Sequence, residues 1–352
     1  MTKMTFSAKK ALFALFLLVL FQPSQAQQFA SAGEYLDFLT SRHKAIMENF
    51  MSYTSAAAHN KSARKIESRR KELIQTVANS RKEIAAINGF NNDKALRDST
   101  VSFLTMTYHV LNDDYGKIVD LEEVAEQSYD AMEAYFLAQD LADEKIDKAN
   151  ENMNMELKVF AEKNNINLIS SDDDFGKKVK QVGRVNEYYR QLFLIRFKCQ
   201  HQEGYMVEAM NKKDINAIEQ NKNILAQYAD ENLKKLATIK SFDNDASLVN
   251  VCKQILMFYQ NESKVQMNIM LDYFIKEDNF NKIKKAFEQK KESERTKADL
   301  DNYNKAVKDM NAAVSKFNAT NKMLNEKRSD LSDSWSKTVS KFLDTHTPKY
   351  KK

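Results

Sequence analysis

Leu300-Asp-Asn-Tyr303-Asn-Lys-Ala-Val307-Lys-Asp-Met310-Asn-Ala-Ala-Val314-Ser-Lys-Phe317-Asn-Ala-Thr-Asn321-Lys-Met-Leu324-Asn-Glu-Lys-Arg328-Ser-Asp-Leu331-Ser-Asp-Ser-Trp335-Ser-Lys-Thr338-Val-Ser-Lys-Phe342 decides the fold class. The numbered positions alternate at threes and fours, with Thr338 passed over. A 3.5-residue repeat of this length predicts one long helix with a left-handed supercoiled seam. Asn321 falls at a core position of that seam, where an amide fixes register at some cost in stability. Earlier helices of the same chain carry matching stripes and are the favoured partners.

Outward from this stretch the same periodicity recurs. Ala63, Ile66, Leu73, Val77, Ile84 and Ile87 predict a helix over about 60–88. Leu96, Phe103, Leu104 and Leu111 follow, and Asn112 to Gly116 breaks or bends that helix. A further stripe runs from Ile118 through Phe136, Ile146, Met153 and Phe160. Residues 164–176, with Asn164-Asn165 and Ser170 to Asp174, supply turn and cap chemistry and mark a boundary. The chain holds 6 Gly and 2 Pro, and no proline between residues 24 and 347. Sheet-rich folds and phosphate loops need more of both. The expectation is an all-α, elongated antiparallel bundle of coiled-coil character, its longest helix about 60 Å at 1.5 Å per residue.

The second half echoes the first. Lys82-Glu-Ile-Ala85-Ala-Ile87-Asn-Gly-Phe90-Asn-Asn92-Asp93-Lys-Ala-Leu96 and Lys234-Lys-Leu-Ala237-Thr-Ile239-Lys-Ser-Phe242-Asp-Asn244-Asp245-Ala-Ser-Leu248 agree at seven of fifteen positions, at a constant offset of 152. Glu34-Tyr35 and Glu187-Tyr188 form a weaker echo at 153. This spacing predicts two tandem duplicated helical units, 27–168 and 172–344, with a disordered basic tail over 345–352. In each unit a Phe plugs a helix joint just ahead of an Asn-Asp cap.

The first 26 residues read as a signal peptide. Lys3, Lys9 and Lys10 precede an apolar run from Ala11 to Phe21, and Ser24-Gln25-Ala26 offers small residues for cleavage between Ala26 and Gln27. Without that leader, 51 basic side chains face 49 acidic ones, so the net charge falls from +5 to +2. Lys and Glu alternate along the helices as on solvated surfaces, which argues against nucleic acid as a partner. Cys199 and Cys252 are the two cysteines. An exported compartment permits a disulfide between them, but two buried thiols are the favoured reading.

Few motifs carry chemistry. No His lies three residues after a carboxylate, as di-iron bundles require, and no His-x-x-x-His pair exists for zinc. A Walker loop and a Gly-x-Ser-x-Gly elbow are both missing. The aromatic group Tyr188, Tyr189, Phe193, Phe197 and Tyr205 falls at core spacing. Asn261-Glu-Ser263 matches a glycan acceptor triplet. The segment around His59, with Ala56 to Ala58 beside Lys61, Arg64 and Lys65, reads first as a helix corner needing small side chains. No run in the mature chain approaches the length of a membrane span. The expectation is a non-enzymatic protein without cofactor or metal, exported to the periplasm or cell surface of a bacterium. It acts through contact with an envelope or surface protein. The alternatives are a membrane-perturbing helical protein and a small-molecule carrier with a pocket between its halves.

Three stretches carry a resemblance: Ser52 to Lys65, Leu96 to Val101, and Val110 to Val119 continuing through Ala125 to Tyr129. They resemble a family of exported bacterial helical surface proteins seen in Bacteroidota and named after a Leptospira member. The resemblance implies a helical build and an envelope address, and no activity.

Overall fold

The computed structural model describes residues 29–59, 62–114, 128–168 and 174–350. The expected cleavage site, Ala26 and Gln27, lies outside them. Among the described residues the chain is an all-α helical bundle without strands. The helices are α1 (Ala32–Ala58), α2 (Ala63–Ala86), α3 (Ala95–His109), α4 (Tyr129–Lys163), α5 (Asp174–Asn211), α6 (Ile215–Leu236), α7 (Ser247–Asn261), α8 (Met267–Gln289) and α9 (Lys297–His346). Two of them end in a π-helical turn: α3 runs into Val110–Asp114 and α7 into Glu262–Gln266.

The chain forms two compact units that interleave in sequence. Among the described residues, one takes those before 50 and those within 72–113 and 144–169; the other takes those within 50–71 and 114–143 and those beyond 169. The repeated copies are consecutive in sequence, whereas α1, α2 and α4 each contribute to both packing units.

In the first unit, Tyr35 is fully buried against Phe160 (ring centroids 5.2 Å apart) and Phe90 (6.1 Å). The joint between α2 and α3 turns at Asn91 and Asn92, whose φ values of 50° and 65° are left-handed, a region that asparagine tolerates. Asp93 Oδ1 accepts from Ala95 N–H at 3.0 Å, and Lys163 Nζ reaches Asp93 Oδ2 at 2.9 Å.

The second unit repeats the device. Tyr188, Phe242 and Phe342 pack together at 5.2–5.6 Å. Asp243 and Asn244 carry the left-handed turn, with φ of 45° and 69°. Asp245 Oδ1 accepts from Ser247 N–H at 2.8 Å, and His346 Nε2 lies 2.9 Å from Asp245 Oδ2. Each joint closes as an isolated antiparallel bridge, Phe90 with Asp93 and Phe242 with Asp245.

Helix α9 starts on a capping box formed by Thr296 and Asp299 and packs along α8, α7 and α5. Its seam departs from the expected one. In the N-terminal half the buried residues are Ala306, Ala313 and Thr320, each one position before Val307, Val314 and Asn321. Small side chains there let two helices approach closely, and the larger residues flank the contact. Asn321 is only half-buried, and the nearest amide partner is Asn325 Nδ2 at 3.5 Å, so it fixes no buried register. From Leu324 onward the heptad holds, with Leu324, Leu331, Trp335 and Phe342 buried.

Cys199 and Cys252 are free and buried, the favoured of the two readings, and the permitted disulfide is not formed. One further expectation is corrected. The basic tail is not disordered over its described part. Helix α9 runs to His346, Thr347 is buried, and Tyr350 N–H donates to Ser55 Oγ at 3.1 Å.

Candidate functional site

The chemistry of the second unit concentrates where α5, the end of α7 and α9 meet. Arg328 occupies a seam position of α9 between buried Leu324 and Leu331. A guanidinium there needs partners, since buried charges are stable only when paired. Glu203 supplies one from α5, four residues beyond buried Cys199 and three before buried Met206. Glu262, the first residue of the π turn, supplies the other. Arg328 donates through Nε to Glu203 Oε1 and through Nη2 to Glu262 Oε1, while Nη1 donates to Asn325 Oδ1 at 2.7 Å.

The two carboxyls are not equivalent. The Glu262 side chain is fully buried, and Oε2 finds no ordinary hydrogen-bond partner. Its burial, then the neighbouring Glu203 carboxylate, push Glu262 up to about 9 against the pull of Arg328. It is therefore protonated at neutral pH. Burial works against the Arg328 charge, but the two carboxyls outweigh it and hold the guanidinium above its ordinary range.

One turn before Cys199 and facing the same space lies Arg196. Its guanidinium carbon sits 4.8 Å from the centre of the Trp335 ring, a cation–π arrangement. Nη2 donates to Gln200 Oε1, whereas Nε is buried with no acceptor. Burial lowers the Arg196 pKa from its ordinary value. A cavity of about 220 Å³ opens here. Its lining includes the charged Arg196, Glu203 and Arg328 and the apolar Ile255, Phe258 and Leu331. Tyr259, Gln200 and Ser332 complete the lining.

The residues singled out by sequence fare unevenly. Cys199 accepts from Asn232 Nδ2 at 3.5 Å, and Cys252 Sγ lies 3.8 Å from Leu192 O. Burial pushes both thiols up to about 12, so neither forms a nucleophilic thiolate at neutral pH. His59 closes a packing corner: its Nδ1 lies 2.6 Å from Asp344 Oδ1, with Ser55 and Ala56 buried nearby in sequence. Phe193 and Phe197 stack at 5.5 Å, and Tyr188 belongs to the joint, while Tyr205 is exposed. In Asn261-Glu262-Ser263 the hydroxyl is buried and donates to Tyr259 O at 2.7 Å. Among the described residues no group of three or more His, Cys, Asp or Glu is arranged to hold a metal ion, and no helix is long and apolar enough to cross a membrane.

Fold and site together define an all-α bundle with a partly open, charge-lined cavity in its second unit. No protein-family model, no curated protein and no solved structure matches the chain.

Proposed function

We propose that this is a non-enzymatic exported protein of the bacterial envelope, of the helical surface-protein kind its sequence resembles, acting through protein–protein contacts. The observation that carries this reading is exposed apolar pairs on α4, one pair in each packing unit. Leu137 and Leu141 are 56% and 50% exposed, and Met155 and Val159 are 58% and 41% exposed. Each pair is one helical turn apart, the spacing that presents a ridge to a partner groove. Single exposed apolar residues are ordinary; a pair one turn apart is a candidate contact surface of its own unit. The leader-like start supports the envelope address.

The test is site-specific photocrosslinking in the native cell, with the crosslinker at position 141 or 155. A discrete adduct that disappears in Leu137→Lys and Val159→Lys variants, with the melting temperature unchanged, is the expected result. Adducts indifferent to those substitutions, or none at all, defeat the contact reading. Amino-terminal sequencing of the mature protein checks the address separately: the expected first residue is Gln27.

A further inference from the structure

We propose that the cavity of the second unit is a binding site for a small organic monocarboxylate of single-ring size, gripped by Arg196 with its apolar body against Phe258, Ile255 and Leu331. This site is independent of the contact surfaces on α4.

The argument begins with an uncompensated charge. Arg328 spends three nitrogens on Glu203, Glu262 and Asn325. Arg196 has no carboxylate partner among the described residues; its contacts are the Gln200 carbonyl oxygen and aromatic faces. A largely buried arginine without a counter-ion is unfavourable, and its Nε–H has no acceptor. Cation–π contact with Trp335 offsets only part of that cost. The groups lining the space are two guanidiniums and one glutamate, Glu203, which is already held by Arg328. The lining itself therefore carries one net positive charge.

The rest of the lining selects the ligand class. A carboxylate in the cavity accepts from the part of the Arg196 guanidinium that lines it, a charge-assisted bond stronger than a neutral one. One unpaired guanidinium matches a monoanion; a phosphate dianion would bring a second charge beside Glu203 with nothing to meet it. Ile255, Phe258 and Leu331 give the lining apolar surface, which suits a hydrocarbon body. The volume of about 220 Å³ exceeds the roughly 150 Å³ of an apolar cavity that accepts benzene, so a ring and a carboxylate fit.

Trp335 is the single tryptophan of the chain and lies against Arg196, which makes its fluorescence a local reporter. The experiment titrates the purified protein with phenylacetate, with phenylacetamide as the neutral isostere and inorganic phosphate as the alternative anion. Trp335 emission and titration calorimetry are read together. Phenylacetate is expected to bind with a Kd of about 0.1–1 mM. The amide should bind about tenfold more weakly or worse, since it forfeits the charge-assisted bond. Arg196→Gln should erase the preference for acid over amide. Ser332→Phe places a ring at the exposed edge of the cavity and should block both ligands with the melting temperature held; it decides the matter if Arg196→Gln does not fold. Equal affinity for acid and amide, tighter binding of phosphate, no response to phenylacetate, or binding unaffected by Ser332→Phe each overturns the proposal.

Discussion

The two copies of the helix joint share a backbone and differ in what they bury. Both place a Phe against a Tyr and a second Phe, and both turn on two left-handed residues. Each leads into a 15-residue helix that ends in a five-residue π turn, again at an offset of 152. The first residue of that turn is fully buried in each copy: Val110 in one, Glu262 in the other. Counting back from Phe160 and Phe342, Ile146 stands where Arg328 does; counting on from Tyr35 and Tyr188, Phe50 stands where Glu203 does. Glu262 thus has an apolar counterpart at the 152 offset, and Arg328 and Glu203 have apolar counterparts when counted from the aromatic anchors. The π turn needs no charge to form, because Val110 sits in one equally well. Widened turns of this kind recur at functional sites, and here the copy that also carries charge adjoins the cavity.

The largest test of this contrast removes Arg328. Arg328→Ala leaves the buried carboxyls without their cation and is expected to destabilise by about 3–5 kcal/mol in urea denaturation. Installing all three counterparts, Glu203→Phe with Glu262→Val and Arg328→Ile, is expected to be neutral or stabilising by about 1–4 kcal/mol. If the triple variant is as unstable as Arg328→Ala, the equivalence of the two copies breaks.

Next come the joint phenylalanines. Phe242 is 6% exposed, whereas Phe90 is only half-buried. Phe242→Ala should cost about 3–4 kcal/mol and Phe90→Ala about 1–2, read from the same denaturation curves. Equal losses would mean the joints are packed alike.

Gly89 and Ser241 occupy the same repeat position. A Cβ at Gly89 would stand 1.9 Å from the Asp93 carbonyl oxygen, so the joint must shift to admit it. Gly89→Ala is expected to lower stability by about 2 kcal/mol, and Ser241→Ala, at an exposed site, by under about 0.5.

The smallest expected effect is a pH dependence confined to the second copy. Glu262 is raised in the folded protein from 4.5 to about 9. Below 4.5 both folded and unfolded chains hold the proton, and its contribution is complete. As pH rises the unfolded chain loses the proton first, so stability declines from about 4.5 towards 9. Glu262→Gln keeps the neutral shape and should flatten that decline, adding about 1–2 kcal/mol at pH 8. Parallel wild-type and variant curves in thermal denaturation at pH 5 and pH 8 would discard the assignment.

How much of this was legible follows from range. Apolar spacing and scarce Gly and Pro report on neighbours within a turn or two, so the helices and both joints could be read from residues such as Ile84, Ile87, Phe90 and Asp93. Arg328 was also visible as a charge at a seam position, which signals buried acids. Its partners lie 125 and 66 residues away among 49 acids, and no local pattern selects them. The π turn was hidden because Glu262 to Gln266 has the composition of an ordinary surface helix. Asn321 was misplaced because a strict heptad weighs large side chains, whereas the contact there is made by Ala306, Ala313 and Thr320. The cavity depends on Arg196, which reads as one more helix-surface cation until Trp335 is placed over it.

The bond from Tyr350 N–H to Ser55 Oγ also sets a timetable. Ser55 leaves the ribosome 295 residues before its partner is made. At ordinary translation speeds that is a wait of roughly 15 to 60 seconds. The stretch from Phe50 to Lys71 belongs to a unit whose other pieces include residues beyond 170, so its packing waits on chain made long after it.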